Sequence, residues 1–178
     1  MDETYDVVLL VERELTELDA RQVVALHEGL DEPVSYHLLI PVEDAASQVQ
    51  AALGSIARYE LIPPMDATDA EALQRLNQDL VQQARAELDA SVELLRATGR
   101  PADGRVTPDD PVRALAAEVD KHQAAEAIVL TAPHAVQEFF HLDWTSRARR
   151  VIGIPTLHLL EHETFDEQGG AGEGVSGV

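Results

Sequence analysis

The chain has 178 residues, 45% of them apolar, which suits one compact domain with a real hydrophobic core and excludes global disorder. It contains no cysteine, so disulfides, thiol nucleophiles and cysteine-ligated zinc or iron–sulfur sites are excluded. The formal charge of -20, from 33 acidic and 13 basic residues, sets the surface against nucleic acid and anionic lipid. No apolar run approaches the roughly 20 residues needed to span a bilayer, and the acidic start lacks the basic flank of a signal peptide. The expectation is a cytoplasmic protein without a membrane segment.

Residues 5–11, "YDVVLLV", form a short valine-rich run that predicts a strand buried on both faces. Thr16 follows as a helix N-cap, with Glu17 and Asp19 in the first turn. Leu18, Val23, Leu26 and Leu30 suggest the inward stripe of this helix, which Gly29 and Pro33 help to end. Residues 34–42, "VSYHLLIPV", read as the second strand, with Pro41 at its end, where a missing N–H is tolerated. Residues 44–59 carry helical spacing, and 61–69 form a break.

The longest periodic segment is 69–97, where Leu73, Leu76, Leu80, Ala84, Leu88, Val92 and Leu95 share one face. A strand is expected around Gly104 to Thr107, then a helix over 110–122 with Pro111 in its first turn and Asp109 or Asp110 as cap. Residues 126–132 predict the fourth strand, a helical region runs to about Val151, and 154–160, "IPTLHLL", predict the last strand. The acidic, Gly-rich residues 163–178 read as a disordered tail behind a domain of residues 1–162.

Strands and helices alternate throughout. That order predicts an α/β three-layer sandwich, a Rossmann-like parallel sheet with helices on both faces. Ligands of such sheets bind beyond the carboxyl ends of the strands, which directs attention to the loops after Val11 and Thr131.

Three segments carry a family resemblance: the first strand and helix followed by "SYHLLIPV" and a long helical insertion, "DDPVRALAAEVDKHQAAEAIVLT", and "RRVIGIPTLHLL". In their order and spacing, over about residues 5–160, the chain resembles a universal stress protein domain, of the adenine-nucleotide alpha hydrolase-like class. The resemblance implies a five-stranded parallel sheet ordered 3-2-1-4-5, dimerisation through the last strand, and in some members ATP binding. ATP binders of the family place an aspartate at the end of the first strand and a glycine-rich loop after the fourth, then glycine with serine or threonine at the next helix.

This sequence departs at both places. Glu12 stands near the aspartate position, and Thr131, Ala132, Pro133 and His134 stand where the loop would begin. Pro133 has no N–H to give a phosphate, and Asp143 near a helix start would cap its N–H groups and repel the anion. The expectation is therefore a non-catalytic stress-response or regulatory protein with a degenerate nucleotide site and no bound cofactor. The alternative is an ATP- or AMP-binding stress protein using Glu12, Thr131, Thr145 and Ser146.

A third possibility is a metal-binding, hydrolase-like protein. His134, Glu138 and His141, at i, i+4 and i+7, share one face of a continuous helix and would suit a divalent ion. The bland reading leaves these histidines facing solvent. Phe139, adjacent to Phe140, cannot bury on the same side as its neighbour and is a candidate interface residue unless it packs on the long helix. In the last strand, Leu157 and Leu159 share a face, and an exposed edge there would support a homodimer.

Overall fold

The computed structural model describes residues 4–42, 67–131 and 151–160. In chain order the elements are β1 (Tyr5–Val11), α1 (Glu17–Ala25), β2 (Val34–Pro41), α2 (Ala67–Ala97), β3 (Ala102–Thr107), α3 (Pro111–His122), β4 (Glu126–Thr131) and β5 (Thr156–Leu160). The five strands form one parallel sheet in the order β3-β2-β1-β4-β5. The expected topology is the observed one. The segments expected to be helical at 44–59 and from 132 to about 150 lie outside the described residues, as does the tail.

The alternation of β1 divides the core. Val7, Leu9 and Val11 face one side, where Val23 of α1 and Ala84, Leu88, Val92 and Leu95 of α2 cover them. Val8 and Leu10 face the other side, against Val112, Leu115 and Val119 of α3. Both faces of the sheet are buried, which is why the central strands read as continuous apolar runs rather than as alternating ones.

The long stripe on α2 is used as its spacing predicts, but unevenly. Ala84, Leu88, Val92 and Leu95 are buried, whereas Leu73, Leu76 and Leu80 are only half-buried. Ser91 is fully buried on the same helix. Its hydroxyl donates to the Glu87 carbonyl at 2.7 Å and accepts from the Leu15 N–H at 2.9 Å, so α2 holds the loop that leaves β1. Ser91→Ala would orphan that buried N–H, at an expected cost of about 1–2 kcal/mol. Urea unfolding checks this, and an unchanged midpoint would remove the bond from the list of stabilising contacts.

The stripe expected on α1 is corrected. Thr16 caps this helix in a full capping box: its hydroxyl accepts from the Asp19 N–H, and the Asp19 carboxylate accepts from the Thr16 N–H at 2.9 Å. The helix ends at Ala25, so Leu26 and Leu30 lie beyond it and are exposed. The buried positions are Asp19, Ala20, Gln22 and Val23, with His27 just after the helix. Asp19 is held by the capping box, and His27 is bonded through one ring nitrogen while its Nε2 lies 3.4 Å from Glu126 without a hydrogen bond. His27 Nδ1 lies 2.9 Å from the Val23 carbonyl and 3.1 Å from the Tyr36 hydroxyl.

Candidate functional site

The loops at the carboxyl ends of β1, β2 and β3 surround a cavity of about 440 Å³. Glu12 and Arg13 follow β1, Pro41 and Val42 end β2, and Asp109 and Pro111 join β3 to α3. Leu80, Gln83, Ala84 and Glu87 of α2 close the remaining wall. The site lies beyond the carboxyl ends of the strands, on the β1–β2–β3 side of the sheet rather than at the β1/β4 switch point. The α2 residues are there because a helix that returns to a parallel strand must run antiparallel to it. Its amino-terminal half therefore lies over the carboxyl ends of the strands.

The polar part of this wall is acidic. Among the described residues, Glu12, Glu87 and Asp109 supply three carboxylates, against the guanidinium of Arg13. Arg13 is 3.9 Å from Glu12, and the Gln83 amide donates to Glu87 at 2.8 Å. The Asp109 N–H donates to the Thr107 hydroxyl at 3.2 Å, which fixes the turn into α3. At the start of that helix the Asp110 carboxylate accepts from the Arg113 N–H at 3.0 Å, and Pro111 has no N–H. The end of a helix that could receive a phosphate is thus capped from within the chain.

Of the residues singled out in the sequence, Glu12 lines the cavity. Its N–H donates to the Leu130 carbonyl at 3.3 Å, which joins the ends of β1 and β4. Thr131 closes β4 and is buried, and it is not part of the cavity lining. Its hydroxyl lies 2.8 Å from His158 Nε2 on β5. Burial lowers the His158 pKa below the usual imidazole value, which favours a neutral ring in this bond. Thr145, Ser146, His134, Glu138, His141 and Phe139 lie outside the described residues.

Gln83, Glu87 and Asp109 were not among the candidates from sequence. Their signal was present: Gln83 and Glu87 flank the stripe at Leu80 and Ala84, in the part of the long helix that topology sets over the strand ends.

No protein-family model matches the sequence, and no curated protein matches it. Solved structures do match. The hypothetical protein MJ0577, a test case for structure-based assignment of biochemical function, is 13% identical, with 90% of this chain and 99% of that one covered at a TM-score of 0.60. The universal stress protein from Archaeoglobus fulgidus is 10% identical, with 86% of this chain and 93% of that one covered at a TM-score of 0.50. This chain has the fold of the universal stress proteins. A member of that protein family from Arabidopsis thaliana, solved with AMP bound, is 11% identical over 92% of this chain and 94% of its own, at a TM-score of 0.49. In the universal-stress-protein fold found here, among the described residues, no helix is long and apolar enough to cross a membrane.

Proposed function

We propose that the chain is a stress-protein-type binding module that takes the nucleoside end of an adenine nucleotide in the cavity at the strand ends and acts through occupancy, without catalysis. One observation carries this: among the described residues, the charged part of the cavity wall is dominated by the acceptors Glu12, Glu87 and Asp109, with Arg13 the one cation. Carboxylates accept hydrogen bonds from ribose hydroxyls and from an exocyclic amine. They repel a triphosphate. Leu80, Ala84 and Val42 supply apolar contact for a base.

The proposal extends to a cytoplasmic homodimer. Among the described residues β5 is an edge strand of the sheet. Leu159 is committed to the core and Leu157 packs partly against it, so a β5 contact would use the backbone edge and the half-buried Leu160 rather than the Leu157–Leu159 face.

Isothermal titration with adenosine, AMP and Mg-ATP tests the ligand assignment. The expected result is adenosine and AMP binding within about threefold of each other, with ATP at least about tenfold weaker, or roughly 1.4 kcal/mol. Glu12→Ala weakens all three. ATP as the tightest ligand, or no heat with any of them, rejects the assignment.

A further inference from the structure

We infer that His37, Asp103 and His122 form a binding site for a divalent transition-metal cation of the zinc class, with Asp6 orienting His37. The site is separate from the cavity and does not depend on the nucleotide reading. It lies on the α3 face of the sheet, about 13 Å down β2 from Pro41 at 3.3 Å per residue.

Three adjacent strands each place one polar side chain there. Asp6 comes from β1, His37 from β2 and Asp103 from β3, and His37 and Asp103 are register partners. His122, in the last turn of α3, stacks its ring on that of His37 with centroids 3.5 Å apart and planes 20° apart. One ligand atom each from His37, Asp103 and His122 lie within 4.8 Å of one another. Around a tetrahedral ion with bonds of about 2.0–2.1 Å such atoms stand about 3.3 Å apart, so side-chain adjustment within this spacing completes the set.

His37 explains why a cation belongs here. Its Nε2 is 2.8 Å from Asp6 Oδ1, and its Nδ1 is 2.9 Å from Asp103 Oδ1. When Nε2–H donates to Asp6, the Nδ1 of a neutral ring presents a lone pair to a carboxylate. Two such acceptors at 2.9 Å need a positive centre between them, either a second proton or a metal ion. A carboxylate bonded to the far nitrogen is also the usual outer support of a histidine that ligates a metal.

His122 favours the metal. Its Nε2 is buried without a hydrogen-bond partner, although it lies 3.2 Å from Glu118 Oε2. Glu118 is engaged elsewhere, by the Arg105 guanidinium and by the Lys121 ammonium at 3.0 Å. With Glu118 bonded by these two cations, the His122 ring beside it makes no hydrogen bond of its own through Nε2. The stacked rings cannot both aim lone pairs at one ion, so binding turns His122 about its side-chain bonds. Three protein ligands leave a fourth position for water. The charge of -20 on the chain favours uptake of the cation.

The test is titration of chelator-treated full-length protein with zinc chloride by calorimetry, and with cobalt(II) by visible absorption. One equivalent is expected to bind with a Kd of about 1 µM or tighter. Asp103→Asn and His122→Ala should each weaken binding at least about tenfold, and Asp6→Asn by about tenfold. His134→Ala and His141→Ala should leave it unchanged. Asp103 is mostly exposed, so circular dichroism of Asp103→Asn should match the parent, and the same measurement on His122→Ala separates lost binding from lost fold. Absence of stoichiometric binding overturns the site, and so does binding that survives both Asp103→Asn and His122→Ala.

Discussion

Replacing Gly104 by valine should destabilise the fold by about 3 kcal/mol or more, and replacement by alanine by about 2 kcal/mol. Gly104 lies in β3 opposite Leu38 of β2, beneath Leu88 of α2. A Cβ built there would stand 2.7 Å from the Leu38 carbonyl oxygen, 2.7 Å from Leu88 Cδ1 and 2.9 Å from Leu38 Cβ. The Leu88 methyl can swing aside. The Leu38 carbonyl belongs to the ladder between β2 and β3 and cannot move without breaking it. The glycine is thus required by close approach of its neighbours. For a chain of this size each kcal/mol moves Tm by about 2–4 °C, so the valine variant should melt roughly 6–12 °C lower. Thermal unfolding followed by circular dichroism measures it. A drop of under about 2 °C for the valine variant would mean that α2 lies less tightly on β3 than described.

The second large effect appears in alkali. Tyr36 is fully buried, and its hydroxyl is pushed up to about 12. Burial is the main cause. The Glu126 carboxylate adds to it, and the Arg100 guanidinium opposes it. In the unfolded chain the same hydroxyl ionises near 10. Between those two values the unfolded state has released a proton that the folded state retains, so stability falls as pH rises through the window. Below pH 10 the contribution is intact; by pH 12 about 2–3 kcal/mol is lost. Tyr5, raised mainly by burial and then by Glu126, steepens the fall in the same direction.

Tyr36→Phe should flatten most of this loss while costing about 1 kcal/mol at neutral pH, through the missing contact with His27 Nδ1 at 3.1 Å. Urea midpoints at pH 8, 10 and 11.5 provide the comparison. Equal alkaline losses in parent and variant would assign the effect to other groups.

The fold was legible in the sequence because its determinants are local and repeated. Apolar runs of five to eight residues, separated by helical stripes, admit few arrangements other than a parallel sheet. Thr16 and Asp110, as caps, marked where helices begin. The inward face of α1 was not legible. Apolar residues are usually the buried ones, and here Asp19, Gln22 and His27 are buried in place of Leu26 and Leu30, with Asp19 held in the capping box and His27 bonded through Nδ1.

The cavity was half legible. The position of Glu12 follows from the end of β1, whereas Glu87 and Asp109 come from distant segments brought together by the crossover. The row of Asp6, His37 and Asp103 was visible only as polar residues in two apolar strands and one polar edge strand. Their adjacency depends on strand order, which a pattern within one strand does not contain.

The length of α2 has a mechanical consequence. Its 31 residues span about 46 Å at 1.5 Å per residue, while β2, the longest strand, has 8 residues and spans about 27 Å. The helix is seated firmly only from Ala84 onward, and its first half overhangs the sheet like a cantilever. Leu80 and Gln83 sit at the root of that overhang, in the cavity wall. By geometry alone, a small tilt at the root is multiplied along the projecting turns, so the wall of the cavity and the far end of the helix are mechanically one piece.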